Sequence, residues 1–80
     1  MDLVELTEFL VKNLLPSVDG VSVKKLDSEG DTVIQVLVSS DYMSVVIGRG
    51  GKIANSIRTI VQASAYVQKL GRVRINIDSL

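Results

Sequence analysis

The chain has 80 residues, 46% of them hydrophobic, with nine basic and nine acidic side chains and neither histidine nor cysteine. That length suits a single domain, 1–80, and the missing residue types exclude a disulfide framework, a Cys/His zinc centre and catalysis by either side chain. The zero net charge conceals a split: residues 1–41 set three lysines against eight carboxylates, a balance of −5, while residues 42–80 set six cations against Asp78 alone, a balance of +5.

The first predicted element is an amphipathic helix from Asp2 to Leu15. Leu3, Leu6, Leu10 and Leu14 recur at three- and four-residue steps, and Val11 and Leu15 widen the stripe. Asp2 is placed to cap it, Glu5 sits in the first turn where the helix dipole favours an acid, Glu8 and Lys12 pair across one turn, and Pro16 ends it. A weakly alternating strand follows over Val21 to Leu26, then a turn-forming cluster at 27–31 and a stronger strand from Thr32 to Val38. Apolar residues on both faces of the latter (Ile34, Val36 and Val38 against Val33 and Leu37) predict a central strand. The short turn makes the two strands an antiparallel hairpin.

Asp41 or Ser40 is expected to cap a short helix through Tyr42–Ile47, which Gly48 cuts off. A longer helix is expected from near Gly51 to about Lys69, with Ile53, Ile57, Ile60, Val61 and Val67 as its apolar stripe and Gly71 as its terminator. The last strand, Arg72 to Asp78, alternates cleanly: Val73, Ile75 and Ile77 inward, Arg72, Arg74, Asn76 and Asp78 outward. A crossover of two helices predicts that it lies parallel to the central strand. The order helix-strand-strand-helix-helix-strand is an α+β arrangement, a three-stranded mixed sheet with three helices packed on one face.

The chemistry sits in Val45-Val46-Ile47-Gly48-Arg49-Gly50-Gly51-Lys52-Ile53. It is not a P-loop, because Ile53 follows Gly51-Lys52 and Val46 stands where the first glycine is needed. Nor is it a dinucleotide fingerprint, because Ile53 occupies the third glycine position and a helix precedes it. What remains is a Gly-x-x-Gly loop between two helices. The start of the second helix offers free N–H groups and a positive dipole end, glycines allow a phosphate to approach the main chain, and Arg49 and Lys52 add charge. A plain helix–turn–helix corner would use the glycines for backbone angles alone.

Val46-Ile47-Gly48-Arg49-Gly50-Gly51-Lys52-Ile53 resembles the signature of the KH domain, which places a Gly-x-x-Gly loop between two helices. The element order is similar to its type II, prokaryotic version. With the N-terminal helix and the ending Arg72-Val73-Arg74-Ile75-Asn76-Ile77, nearly the whole chain resembles the small stand-alone bacterial KH proteins of the KhpA type. The resemblance implies a type II KH fold that holds about four nucleotides of single-stranded RNA. It implies phosphate contacts from Gly48, Arg49, Gly50, Gly51 and Lys52. Ile47, Ile53, Ala54 and Ile57 would lie under the bases, with Val36 and Val38 as the opposite wall and Arg58 on a flanking phosphate. The same apolar residues also suit a plain core. Arg72 and Arg74 fall on the open side of the sheet, apart from that groove. The resemblance further implies a role as RNA chaperone or post-transcriptional regulator, and partnership with itself or with a second KH protein of the KhpB (Jag) type.

Other features limit this picture. Phe9, Tyr42 and Tyr66 are the only aromatics, so base stacking is not expected to dominate, and Asn55 and Gln62 stand where a stronger binder would offer lysine. The competing reading is a protein-interaction module that dimerises through apolar surface around Ile53. The carboxylates form no acid/base pair or metal cluster, so no enzyme, cofactor or small-molecule substrate is expected. An acidic N-terminus and short, charge-broken apolar runs predict a cytoplasmic chain without a membrane span.

Overall fold

The computed structural model describes residues 2–17 and 19–80, apart from the side chain of Ser28. Helix α1 spans Leu3–Lys12, strands β1 and β2 span Val21–Ser28 and Asp31–Val38, helices α2 and α3 span Met43–Ile47 and Lys52–Val67, and strand β3 spans Val73–Ser79. The sheet order is β1-β2-β3, with β1 antiparallel and β3 parallel to the central β2. The expected α+β arrangement of the type II KH fold is therefore present, with the three helices against one face of a mixed sheet.

Asp2 caps α1 by accepting a hydrogen bond from the Val4 N–H, and Glu8 and Lys12 pair at 2.9 Å. Two expectations for this helix change. It ends at Lys12 rather than Leu15, because Pro16 disfavours helical geometry in the residue before it and because Asn13 caps the end, its side-chain amide donating to the Phe9 carbonyl at 2.6 Å. The buried stripe is centred on Leu3, Thr7 and Val11, with Leu6 and Leu10 half-buried at its margin and Leu14 outside the helix. Thr7 can be fully enclosed because its hydroxyl donates to the Leu3 carbonyl at 2.7 Å, which removes the penalty of an unsatisfied polar group.

The hairpin is tighter than the turn-rich composition of 27–31 suggests. Ser28 pairs with Asp31, leaving only Glu29 and Gly30 in the loop, at φ 47° and 86°. Two consecutive positive φ values give a type I′ turn, whose twist matches that of the strands. Ile34, Val36 and Val38 of β2 are completely buried, and Val73 and Ile75 of β3 nearly so. They meet Val46 of α2 and Ile57, Val61 and Ala65 of α3 in one core.

Helix α3 departs from expectation in its inward face and at its end. The residues facing the sheet are Ala54, Ile57, Val61 and Ala65, whereas Ile60 and Val67 are 45% and 77% exposed. Small alanines bring the helix axis close to the sheet, which leaves the larger branched residues on its outer flank. The helix stops at Val67 rather than Lys69, and Gly71 is not its terminator: Lys69 takes the left-handed conformation at φ 58°. The Leu70 N–H donates to the Ala65 carbonyl and the Lys69 N–H to the Tyr66 carbonyl, a Schellman closure. In α2 neither Asp41 nor Ser40 caps the helix. The chain enters through a single 3₁₀ turn, Ser40–Tyr42, led by Ser39 without a side-chain cap.

A lysine in the left-handed region pays a steric cost that glycine avoids. Lys69→Gly is therefore expected to stabilise the fold by about 1 kcal/mol, read as a higher urea midpoint at unchanged slope. Ile34→Ala, which empties the centre of the core, is expected to lower the unfolding free energy by about 2–5 kcal/mol in the same assay.

Candidate functional site

Between α2 and α3 the chain turns through Gly48, Arg49, Gly50 and Gly51. Gly48 closes α2, its N–H donating to the Ser44 carbonyl at 3.0 Å, at φ 77° and ψ 171°. That combination is accessible essentially to glycine alone. A Cβ on Gly48 would also lie 2.7 Å from Cγ1 and 2.9 Å from the backbone nitrogen of Ile53. The corner is thus a close approach of one backbone to the first turn of the next helix. Gly50 is different: its φ of 64° is left-handed, but nothing lies within 4 Å of the space its Cβ would fill. Arg49 and Gly50 are both exposed, at the tip of the corner.

Gly51 is the N-cap of α3 and brings no side-chain acceptor to the helix start. The Gly51 N–H donates to the Gly48 carbonyl at 3.1 Å and the Lys52 N–H to the Arg49 carbonyl, so the positive dipole end of the 16-residue helix lies beside Arg49 and Lys52 with no acidic side chain in its first turn. This arrangement suits an anionic group that can approach the main chain.

Of the apolar residues expected under the bases, Ile47 and Ile53 are half-buried beside the loop. Ala54 and Ile57 are 2% and 3% exposed and face the core. Val36 and Val38 are fully enclosed and cannot form the opposite wall; the strand lying along the outer side of α3 is β3. Arg58 reaches across to that strand. Its Nε donates to the Ile75 carbonyl at 3.2 Å and its Nη1 to Asn55 Oδ1 at 3.2 Å. One turn further, Gln62 Nε2 lies 3.4 Å from the Val73 carbonyl and donates to it. Arg58 and Gln62 thus satisfy two carbonyls on the outer edge of β3, and Asn55 orients the arginine. This is why amides stand where lysines were expected.

The family model described as KhpA/KhpB, KH domain, matches residues 4–77. The chain belongs to this family. The RNA-binding protein KhpA of Borreliella burgdorferi is 39% identical over 62 residues, covering 78% of this chain and 76% of its own. The RNA-binding protein KhpA of Clostridium acetobutylicum is 34% identical over 73 residues, 91% of this chain and 96% of its own. Among solved structures, Era in complex with MgGDPNP and nucleotides 1506-1542 of 16S ribosomal RNA superimposes with a TM-score of 0.68 at 14% identity, covering 96% of this chain and 29% of that one. Era of Aquifex aeolicus gives a TM-score of 0.66 at 16% identity, over 98% of this chain and 30% of that one. These two show the fold alone, and this chain spans under a third of their length.

The KH-family loop divides its glycines by role, one for the corner and one at the open tip. Gly48→Ala is expected to destabilise the fold by at least about 2 kcal/mol, because it forces both a forbidden backbone angle and an overlap with Ile53. Gly50→Ala meets open space and is expected to cost only about 1 kcal/mol, so the two unfolding midpoints should separate clearly.

Proposed function

We propose that this chain binds short single-stranded RNA, with the phosphate backbone held at the corner formed by Gly48, Arg49, Gly50 and Gly51. The observation that carries the proposal is the open tip: a helix start without a side-chain cap, fronted by the exposed Arg49 and Gly50, with nothing filling the space a Cβ on Gly50 would take. The relatives named RNA-binding protein KhpA support the same reading. Main-chain N–H groups recognise phosphate without regard to base, and Arg49 and Lys52 release counterions when it binds. Ile47 and Ile53 offer a narrow apolar margin beside the loop for the first bases. With about two to four phosphates neutralised, affinity is modest and falls with salt at a slope of roughly −0.7 per phosphate. Such a module acts by binding rather than by catalysis, in the cytoplasm, as an RNA chaperone or post-transcriptional regulator.

Modest affinity favours a second copy or a KhpB (Jag)-type partner, which would raise the effective affinity without new contacts. Ile60, exposed on α3, supports such a partner contact. On this reading the protein interface lies along the helix flank and leaves the loop free, so RNA binding and association are compatible.

Arg49→Asp combined with Gly50→Asp is the direct test. Aspartate tolerates the left-handed angle at position 50 and meets no neighbour there, so the double variant is expected to keep its circular dichroism spectrum. Fluorescence anisotropy with a short labelled single-stranded RNA should show at least a tenfold loss of affinity at low salt and a shallower salt slope. Undiminished binding by the folded variant would remove the loop as the site.

A further inference from the structure

The far end of α3 carries a second concentration of charge and exposed aromatic surface. An open groove of about 760 Å³ lies where α3 ends and β3 begins, bordered by Gln62, Tyr66, Val67, Lys69, Arg72 and Arg74. Its lining includes three cations and no carboxylate. Arg74 approaches Asp31 at 3.8 Å, a long and solvated pair, while Lys69 and Arg72 have no ion-pair partner among the described residues. Tyr66 is 83% exposed, the highest value among the large apolar and aromatic side chains. An aromatic ring held in water on a helix surface gains nothing from the core. Ringed by cations, it has the composition of a stacking platform with phosphate ligands around it.

The position of this patch relative to the loop is set by helix geometry. Asn55, Arg58, Gln62 and Tyr66 recur at steps of three and four residues, so they lie along one flank of α3, with Gly51 just before the helix and Lys69 just past its end. That flank faces the edge of β3, where Arg58 and Gln62 are hydrogen-bonded. It joins the loop at one end to the groove at the other, about 21 Å away along the helix. It bears amides, a guanidinium and a phenol, and no acid.

We infer that the α3–β3 groove is a second contact for the same nucleic-acid strand, in which Tyr66 stacks on a base and Lys69, Arg72 and Arg74 hold phosphates beyond those clamped by the loop. The inference rests on the proposed RNA-binding function and extends its footprint past the nucleotides at the Gly-x-x-Gly corner. The occupant is a single-stranded polyanion rather than a protein segment, because every charge on the rim is positive and its most exposed large side chain is the aromatic Tyr66, with Val67 beside it. The inference gives Arg72 and Arg74, which the sequence placed apart from the loop's own groove, a role in ligand binding. Both border this groove, and Arg74 also approaches Asp31 of β2.

The test compares the native chain with a Tyr66→Ala, Arg72→Gln variant, using labelled single-stranded RNA of about four nucleotides, the length the loop clamps, and of about ten. Both substituted residues are exposed, so folding should be unchanged by circular dichroism. Longer strands offer more registers in either protein, so the informative quantity is the variant's loss at each length. The inference expects roughly tenfold weaker binding of the longer strand, a salt slope shallower by about 0.7, and unchanged binding of the short one. Equal binding of the longer strand by native and variant chains, with the Arg49→Asp, Gly50→Asp variant still impaired, would overturn the groove and leave the loop standing. Absence of binding by the native chain at both lengths would overturn the proposed function and this inference together.

Discussion

The contact on which this molecule depends is the approach of Gly48 to the first turn of α3. A Cβ on Gly48 would lie only 2.7 to 2.9 Å from Ile53, and the backbone there holds an angle that only glycine adopts readily. Ile53 is thereby pressed against the core margin, and the start of α3 is held beside the end of α2. The corner is closed by this packing and by two backbone hydrogen bonds, Gly51 N–H to the Gly48 carbonyl and Lys52 N–H to the Arg49 carbonyl, and no side chain caps the helix start. The same economy that makes the turn tight leaves Arg49 and Gly50 outside it.

Everything downstream follows α3. Its inner face of Ala54, Ile57, Val61 and Ala65 sits directly on the sheet. One flank is tied to β3 by Arg58 and Gln62, whose donation to the Ile75 and Val73 carbonyls also blunts an edge that would otherwise invite strand pairing. The other flank carries Ile60 into solvent. One helix thus supplies a core wall, a polar track leading away from the loop, and an apolar surface for a partner. These three roles do not compete, because they lie on different sides of the same cylinder.

The small size of the chain explains why such multiple use is needed. In a domain this short, much of the surface exposed by the unfolded chain stays exposed after folding, so each element must both bury and display residues. Thr7 illustrates the constraint from the inside: a polar side chain is completely enclosed, but its hydroxyl is returned to its own helix at the Leu3 carbonyl. Lys69 illustrates it from the outside, since a lysine accepts a left-handed angle at the end of α3 and its charge remains at the groove.

Much of this was legible in the sequence. The period of Leu3, Leu6 and Leu10, the doubly apolar run at Thr32–Val38 and the strict alternation of Val73, Ile75 and Ile77 determined the order of elements, the central strand and the parallel crossover. The spacing of Gly48 and Gly51 between helical segments determined where the loop would lie. These features were readable because they depend on local backbone preference and on a repeating in-or-out choice. Tertiary packing decided the rest. Which residues of α3 face inward depends on how closely the helix lies on the sheet, and alanines rather than Ile60 and Val67 won that place. The resemblance to the KH domain would place Ala54 and Ile57 under the bases, whereas the fold buries them, as their hydrophobicity also allows. The jobs of Asn55, Arg58 and Gln62, and the meeting of Tyr66 with Arg72 and Arg74, arise only when the end of α3 is brought against the start of β3. No local pattern encodes the distance between them; that is set by the shared core on which both elements rest.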